Sequence, residues 1–176
     1  MADASGSTGP TASPLFLREA EIRRGIELLY FGHAAMVRGA DRILAARGLG
    51  RAHHRALYFI GRRPGLAVSE LLRLLAITKQ SLSRVLSDLQ RLGLVESRVG
   101  EADRRQRRLR LTAEGERLEA ELFAALKERM ARAYAQAGQA AVGGFWAVLS
   151  GLIPPEDRAL VLALDREGRK PGGKRP

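Results

Sequence analysis

Two groups of side chains in this sequence have the types and spacing to recognise nucleic acid. Between Val68 and Leu92, Lys79, Gln80, Ser83, Arg84, Ser87 and Arg91 recur on one side of a helix whose other side carries Leu82, Val85, Leu86 and Leu89. Amide, hydroxyl and guanidinium groups so arranged hydrogen-bond base edges in a major groove, which has room for one helix. The second group runs from Arg98 to Arg110, where six arginines face Glu101 and Asp103, a local balance of +4. Guanidinium groups at that density neutralise phosphate. A third group is the histidines His33, His53 and His54. No carboxylate stands beside them at metal-ligand spacing, so a buried His33 and a surface His53 are expected rather than a metal or haem site.

Other chemistry is excluded by what the chain lacks. Its 176 residues include no cysteine, which removes disulfides, thiolate zinc sites, thiol nucleophiles and sulfenic acid sensing. There is no glycine-rich phosphate loop followed by Lys-Ser or Lys-Thr, no Gly-x-Ser-x-Gly and no His-Glu-x-x-His, so neither catalysis nor a cofactor is expected. The formal charge of +11 calls for an anionic partner. Aromatic residues make up 5%, too few for a base-stacking platform, so duplex rather than single-stranded nucleic acid is the expected target. No run approaches the roughly 18 apolar residues of a membrane span, and no basic start precedes an apolar stretch; a soluble cytoplasmic chain without a membrane partner is expected.

The elements that must position these groups are mostly helical. Residues 1–14 are small and polar and residues 168–176 are basic and rich in Gly and Pro, so both are expected to be disordered. From Leu15 to Arg47, Ile22, Ile26, Leu29, Tyr30, His33, Met36, Val37, Ala40, Ile43 and Leu44 trace one helical face, closed by Gly48. A second helix spans Arg51 to Arg62 and stops at Arg63-Pro64-Gly65. Ser69 suits the cap of a short helix carrying Leu71, Leu72 and Leu75; after the turn Ala76-Ile77, Thr78 suits the cap of the next. Alternation on both sides of the tip Gly100–Asp103 predicts a hairpin, with no strand beyond it. Thr112 caps a long helix bearing Leu118, Leu122, Leu126 and Met130, and a last apolar helical region breaks near Pro154.

Helix, turn, helix and basic hairpin make a winged-helix arrangement, in which the second helix enters the major groove and the hairpin lies along phosphate or reaches the minor groove. From Leu71 to Leu118 the chain resembles the MarR family of winged-helix transcriptional regulators. The resemblance is carried by ELLRLLAITKQSLSRVLSDLQRLGLVES and above all by DRRQRRLRLTAEG, from Asp103 to Gly115. It implies a mainly α fold, a winged helix-turn-helix at 63–112 with flanking dimerisation helices at 15–62 and 113–167. It also implies that Asp103 orients Arg105 for the minor groove and that Thr78, Lys79, Gln80, Ser81, Ser83 and Arg84 lie on the recognition helix. There Gln80 would read adenine and Arg84 guanine or phosphate, while Arg104, Arg107 and Arg108 are phosphate candidates.

The expected assembly is a homodimer on double-stranded DNA at a pseudo-palindromic operator, acting as a repressor that a ligand releases. Tyr30, His33, Arg55, Tyr58 and Phe59 could line an amphipathic pocket for an aromatic carboxylate effector, with core packing as the alternative for Tyr30 and Tyr58. Three rival readings stand beside this one: a basic protein binding nucleic acid without sequence preference, a protein-interaction module whose arginines are incidental, and the relic of a small-molecule enzyme.

Overall fold

A computed structural model describes residues 14–99 and 107–168, which fall into two compact units divided between Arg38 and Gly39. In the first unit a 3-10 turn, Pro14–Leu17, precedes α1, Glu19–Ala45, which continues into the second. The α-helix therefore begins at Glu19 rather than Leu15. Glu19 and Glu21 stand in its first turn, where carboxylates complement the helix dipole. The expected stripe is present as a helix, and its C-terminal part, Val37, Ala40 and Leu44, is buried, but Ile22, Ile26, Leu29 and Tyr30 are exposed, and so are Leu28 and Phe31 off the stripe. His33 is exposed, contrary to the expectation of a buried residue. Of the segments 1–14 and 168–176, expected to be disordered, residues 1–13 and 169–176 lie outside the described residues, whereas Pro14 opens the 3-10 turn and Gly168 ends the last helix.

In the second unit the chain runs α2 (Arg51–Arg62), β1 (Leu66–Ala67), α3 (Val68–Leu75), α4 (Lys79–Arg91), β2 (Val95–Val99), β3 (Arg107–Leu111), α5 (Ala113–Ala137), α6 (Gln139–Leu152) and α7 (Pro155–Gly168). Its core gathers Leu44, Leu57, Ile60, Leu71, Leu75, Leu82, Leu89, Leu109, Leu118 and Leu122, drawn from five helices and the sheet. Burying those side chains is the main driving force for this unit, at roughly 1.5–3 kcal/mol for each before the entropy of ordering is set against it.

The sheet has three strands in the order β1-β3-β2, all antiparallel. The hairpin was expected; β1 was not. Pro64 and Gly65, the latter at φ 87°, turn the chain after α2, and the Gly65 N–H donates to the Leu109 carbonyl, so Leu66 pairs with Leu109 and Ala67 with Arg108. That pairing holds Ala67 extended and makes it the N-cap of α3. The Glu70 carboxylate accepts from the Ala67 N–H at 3.0 Å, the reciprocal half of a capping box. Ser69 thus sits in the first turn rather than at the cap.

Two threonines start the helices that matter most. Thr78 Oγ1 accepts from the Ser81 N–H at 3.1 Å and opens α4 after Ala76, which turns the chain in the left-handed conformation at φ 49°. Thr112 Oγ1 accepts from the Gly115 N–H at 3.1 Å and donates to the Gly93 carbonyl at 2.6 Å, fixing the start of α5 to the entry of β2.

Gly138 ends α5 and Pro154 separates α6 from α7, the latter as expected. The Arg62 guanidinium donates to the Leu164 carbonyl at 2.8 Å and so joins α2 to α7. Phe145, Trp146, Val148 and Leu152 on α6, and Val161 and Leu162 on α7, are exposed. Trp146 Nε1 donates to the Tyr134 hydroxyl at 2.9 Å, which locks α6 to α5 at its rim.

Candidate nucleic-acid interface

The candidate surface follows from how α4 is seated. Leu82, Val85, Leu86 and Leu89 are buried, which turns the opposite side outward along the whole helix. Thr78, Lys79, Gln80, Ser81, Ser83, Arg84, Ser87 and Arg91 are all exposed there, with the hydroxyl, amide and ammonium groups concentrated toward the N-terminal end. A helix N-terminus also presents positive partial charge, which favours phosphate nearby.

Strand β3 brings its side chains to the same place. A groove of about 620 Å³ lies between α3, α4 and the sheet, with Leu72, Leu82, Leu86 and Leu109 along its apolar wall and Lys79, Ser83 and Arg107 among its polar residues. The fold therefore unites Lys79 and Ser83 of the helix with Arg107 of the hairpin. Ser97 Oγ, also in this groove, is buried without a hydrogen-bond partner among the described residues.

Arg108 projects to the other face of β3, as the two-residue period of a strand requires. Its guanidinium donates to the Gly65 carbonyl at 3.3 Å and lies 4.0 Å from Glu70, which also pairs with Arg63 at 3.2 Å. Arg108 thus braces the α2–β1 turn. Arg98 pairs with Glu96 at 3.0 Å, and Arg110 is exposed. Asp103, Arg104 and Arg105 lie outside the described residues.

Behind α4, α2 supplies directional contacts that the sequence reading missed. His53 Nδ1 accepts from the Gly50 N–H at 3.1 Å, and His53 Nε2 lies 3.3 Å from Asp88 on α4. The Arg91 guanidinium and then the His53 imidazole hold the Asp88 carboxyl below its usual range. His54, not His33, is the buried histidine; burial lowers its pKa, and Asp41 opposes that only partly. Arg55 donates to the Leu75 carbonyl at 3.2 Å, tying α2 to the end of α3. Tyr58 and Phe59 are half-buried and meet edge to face, their centroids 5.4 Å apart. In the first unit Tyr30 is exposed, so core packing, the alternative to a pocket role, does not hold for it.

A second groove, lined by Glu96, Arg110, Glu116 and Glu119, is acidic; burial raises the Glu119 pKa, with the Arg62 charge opposing. Among the described residues no group of three or more histidines and carboxylates is arranged to hold a metal ion, and no helix is long and apolar enough to cross a membrane.

Comparison with known proteins agrees with this geometry. Residues 47–106 match the MarR family model. The chain is 48% identical over 158 residues to the HTH-type transcriptional regulator PetP of Rhodobacter capsulatus, an alignment covering 90% of this chain and 94% of PetP. Among solved structures, NadR in complex with 4-hydroxyphenylacetate superposes with a TM-score of 0.63 at 26% identity, covering 82% of this chain and 97% of NadR. A mutant MarR from E. coli complexed with operator DNA gives a TM-score of 0.61 at 20% identity, over 81% of this chain and 100% of that one. With a helix-turn-helix in α3–α4 and a wing in β2–β3, this chain belongs to the MarR family and is a DNA-binding transcriptional regulator, not an enzyme.

Proposed function

We propose that the protein is a ligand-responsive repressor that binds a pseudo-palindromic operator as a homodimer. The observation that carries this reading is the exposed polar side of α4, whose N-terminal turns present Thr78, Lys79, Gln80, Ser81, Ser83 and Arg84 beside Arg107 of the wing. In it, residues 63–112 form the DNA-binding unit, Gln80 and Arg84 read base edges, and Lys79 and Arg107 contact phosphate. Asp103, Arg104 and Arg105 belong to the same proposed set.

The helices in 15–62 and 113–167 serve dimerisation. The support is their apolar exposure: Ile26 is 62% exposed, Trp146 56% and Leu152 63%, in segments that would otherwise leave large hydrophobic areas in water. Two-fold symmetry in the protein calls for two-fold symmetry in its site. An aromatic carboxylate is the proposed effector class, supported by the 4-hydroxyphenylacetate held by the structural neighbour NadR and by Arg55, Tyr58 and Phe59 on α2. Such a ligand would act by altering the separation of the two recognition helices.

Selection of bound sites from random duplex DNA at physiological salt tests the reading. An enriched inverted repeat is expected, its half-sites about one helical turn apart or a multiple of it. Recovery of unrelated duplexes would overturn the operator proposal and favour binding without sequence preference.

A further inference from the structure

We infer that His53 and Asp88 form a positioning pair that fixes how α4 is presented to DNA, an inference that rests on the reading of α4 as the groove-entering helix. His53 stands in the first turn of α2, with only 16% of its side chain exposed. Because Nδ1 accepts the Gly50 N–H, that nitrogen carries no proton; the proton is on Nε2, which faces Asp88 Oδ2 at 3.3 Å. One ring therefore closes the first turn of α2 and holds the C-terminal part of α4. Among the described residues the other side chains that seat α4 in the core are aliphatic, Leu82, Val85, Leu86 and Leu89, and such contacts are non-directional. The bond to Asp88 restrains rotation of α4 about its own axis, which decides where Lys79, Gln80 and Arg84 point.

Asp88 is useful for the test because its charge is wrong for phosphate. Electrostatics alone expects its removal to tighten DNA binding, whereas a positioning role expects weaker binding to the operator and no loss on unrelated duplex. His53 can be dissected as well. A glutamine places an N–H near the position of Nε2, and an asparagine places a carbonyl oxygen near that of Nδ1, so each variant keeps one of the two bonds.

The experiment measures the affinity of the full chain for its selected operator and for scrambled duplex, with melting temperature in parallel. Asp88→Ala and His53→Asn are expected to lose operator affinity by roughly tenfold, the scale of one hydrogen bond to a charged group, with scrambled binding unchanged or tighter. His53→Gln is expected to keep operator affinity within about twofold but to melt earlier, having lost the bond at Gly50. The proposal is overturned if Asp88→Ala binds operator as tightly as the parent chain, or if His53→Gln loses as much as His53→Asn. If Asp88→Ala does not fold, the two histidine variants decide the matter. A Lys79→Ala control separates the two claims: if it too leaves operator binding intact, the reading of α4 has failed rather than the pair.

Discussion

Replacing Gly115 by alanine is expected to destabilise the protein by about 3 kcal/mol or more, a large share of the roughly 5–15 kcal/mol that holds a typical domain. A Cβ at this position would lie 2.0 Å from the Leu94 carbonyl oxygen and 2.9 Å from its carbon. Both are backbone atoms, so no side chain can swing away. The Leu94 oxygen is also the acceptor for the Thr112 N–H at 3.1 Å, and Thr112 caps α5 through the Gly115 N–H. Relief of the clash must lift the first turn of α5 from the sheet and break that knot. Denaturation by urea measures the change. Gly25→Ala is the control: it lies in α1 with nothing within 4 Å of its Cβ, and it is expected to be neutral or to gain up to about 1 kcal/mol from helix propensity. A Gly115→Ala midpoint equal to that of the parent would contradict the close approach.

Ile26→Asp combined with Leu29→Asp is expected to abolish dimerisation and to reduce operator affinity by about a hundredfold or more, because each winged unit then binds one half-site alone. Ile26 and Leu29 are 62% and 44% exposed within the chain, so little of its own packing is lost. Surface substitutions of that kind usually change stability by no more than about 0.5 kcal/mol. Two carboxylates buried without partners between subunits would cost far more. Sedimentation gives the oligomeric state and titration with operator gives the affinity. A variant that remains dimeric with parental affinity would remove α1 from the proposed interface.

What was legible in the sequence was what local chemistry decides. The limits of α2, the caps at Thr78 and Thr112, the outward set from Lys79 to Arg91 and the break at Pro154 each depend on residues within one or two turns of each other. β1 was invisible because two residues cannot show alternation, and its partners Arg108 and Leu109 are some forty residues away. The same distance hid the His53–Asp88 bond and the burial of His54. Ser69 was the better cap by type, but the pairing of Ala67 with β3 set the start of α3 before any side chain could. The α1 pattern is legible as a helix, yet periodicity does not say what covers a stripe; Ile22, Ile26, Leu29 and Tyr30 are exposed. Alternation along β3 puts Arg107 and Arg108 on opposite faces, although by type alone both are phosphate candidates.

Titrations of the selected operator and of a scrambled duplex across a range of salt, with the parent chain and with Lys79→Ala and Gln80→Ala, test the interface most directly. Lys79→Ala is expected to weaken both duplexes and to lower the slope of log affinity against log salt by about one, the signature of a lost phosphate contact. Gln80→Ala is expected to leave the slope unchanged and to cost about 1–3 kcal/mol on the operator alone. If both variants keep the parental affinity and slope on both duplexes, the exposed side of α4 does not face DNA.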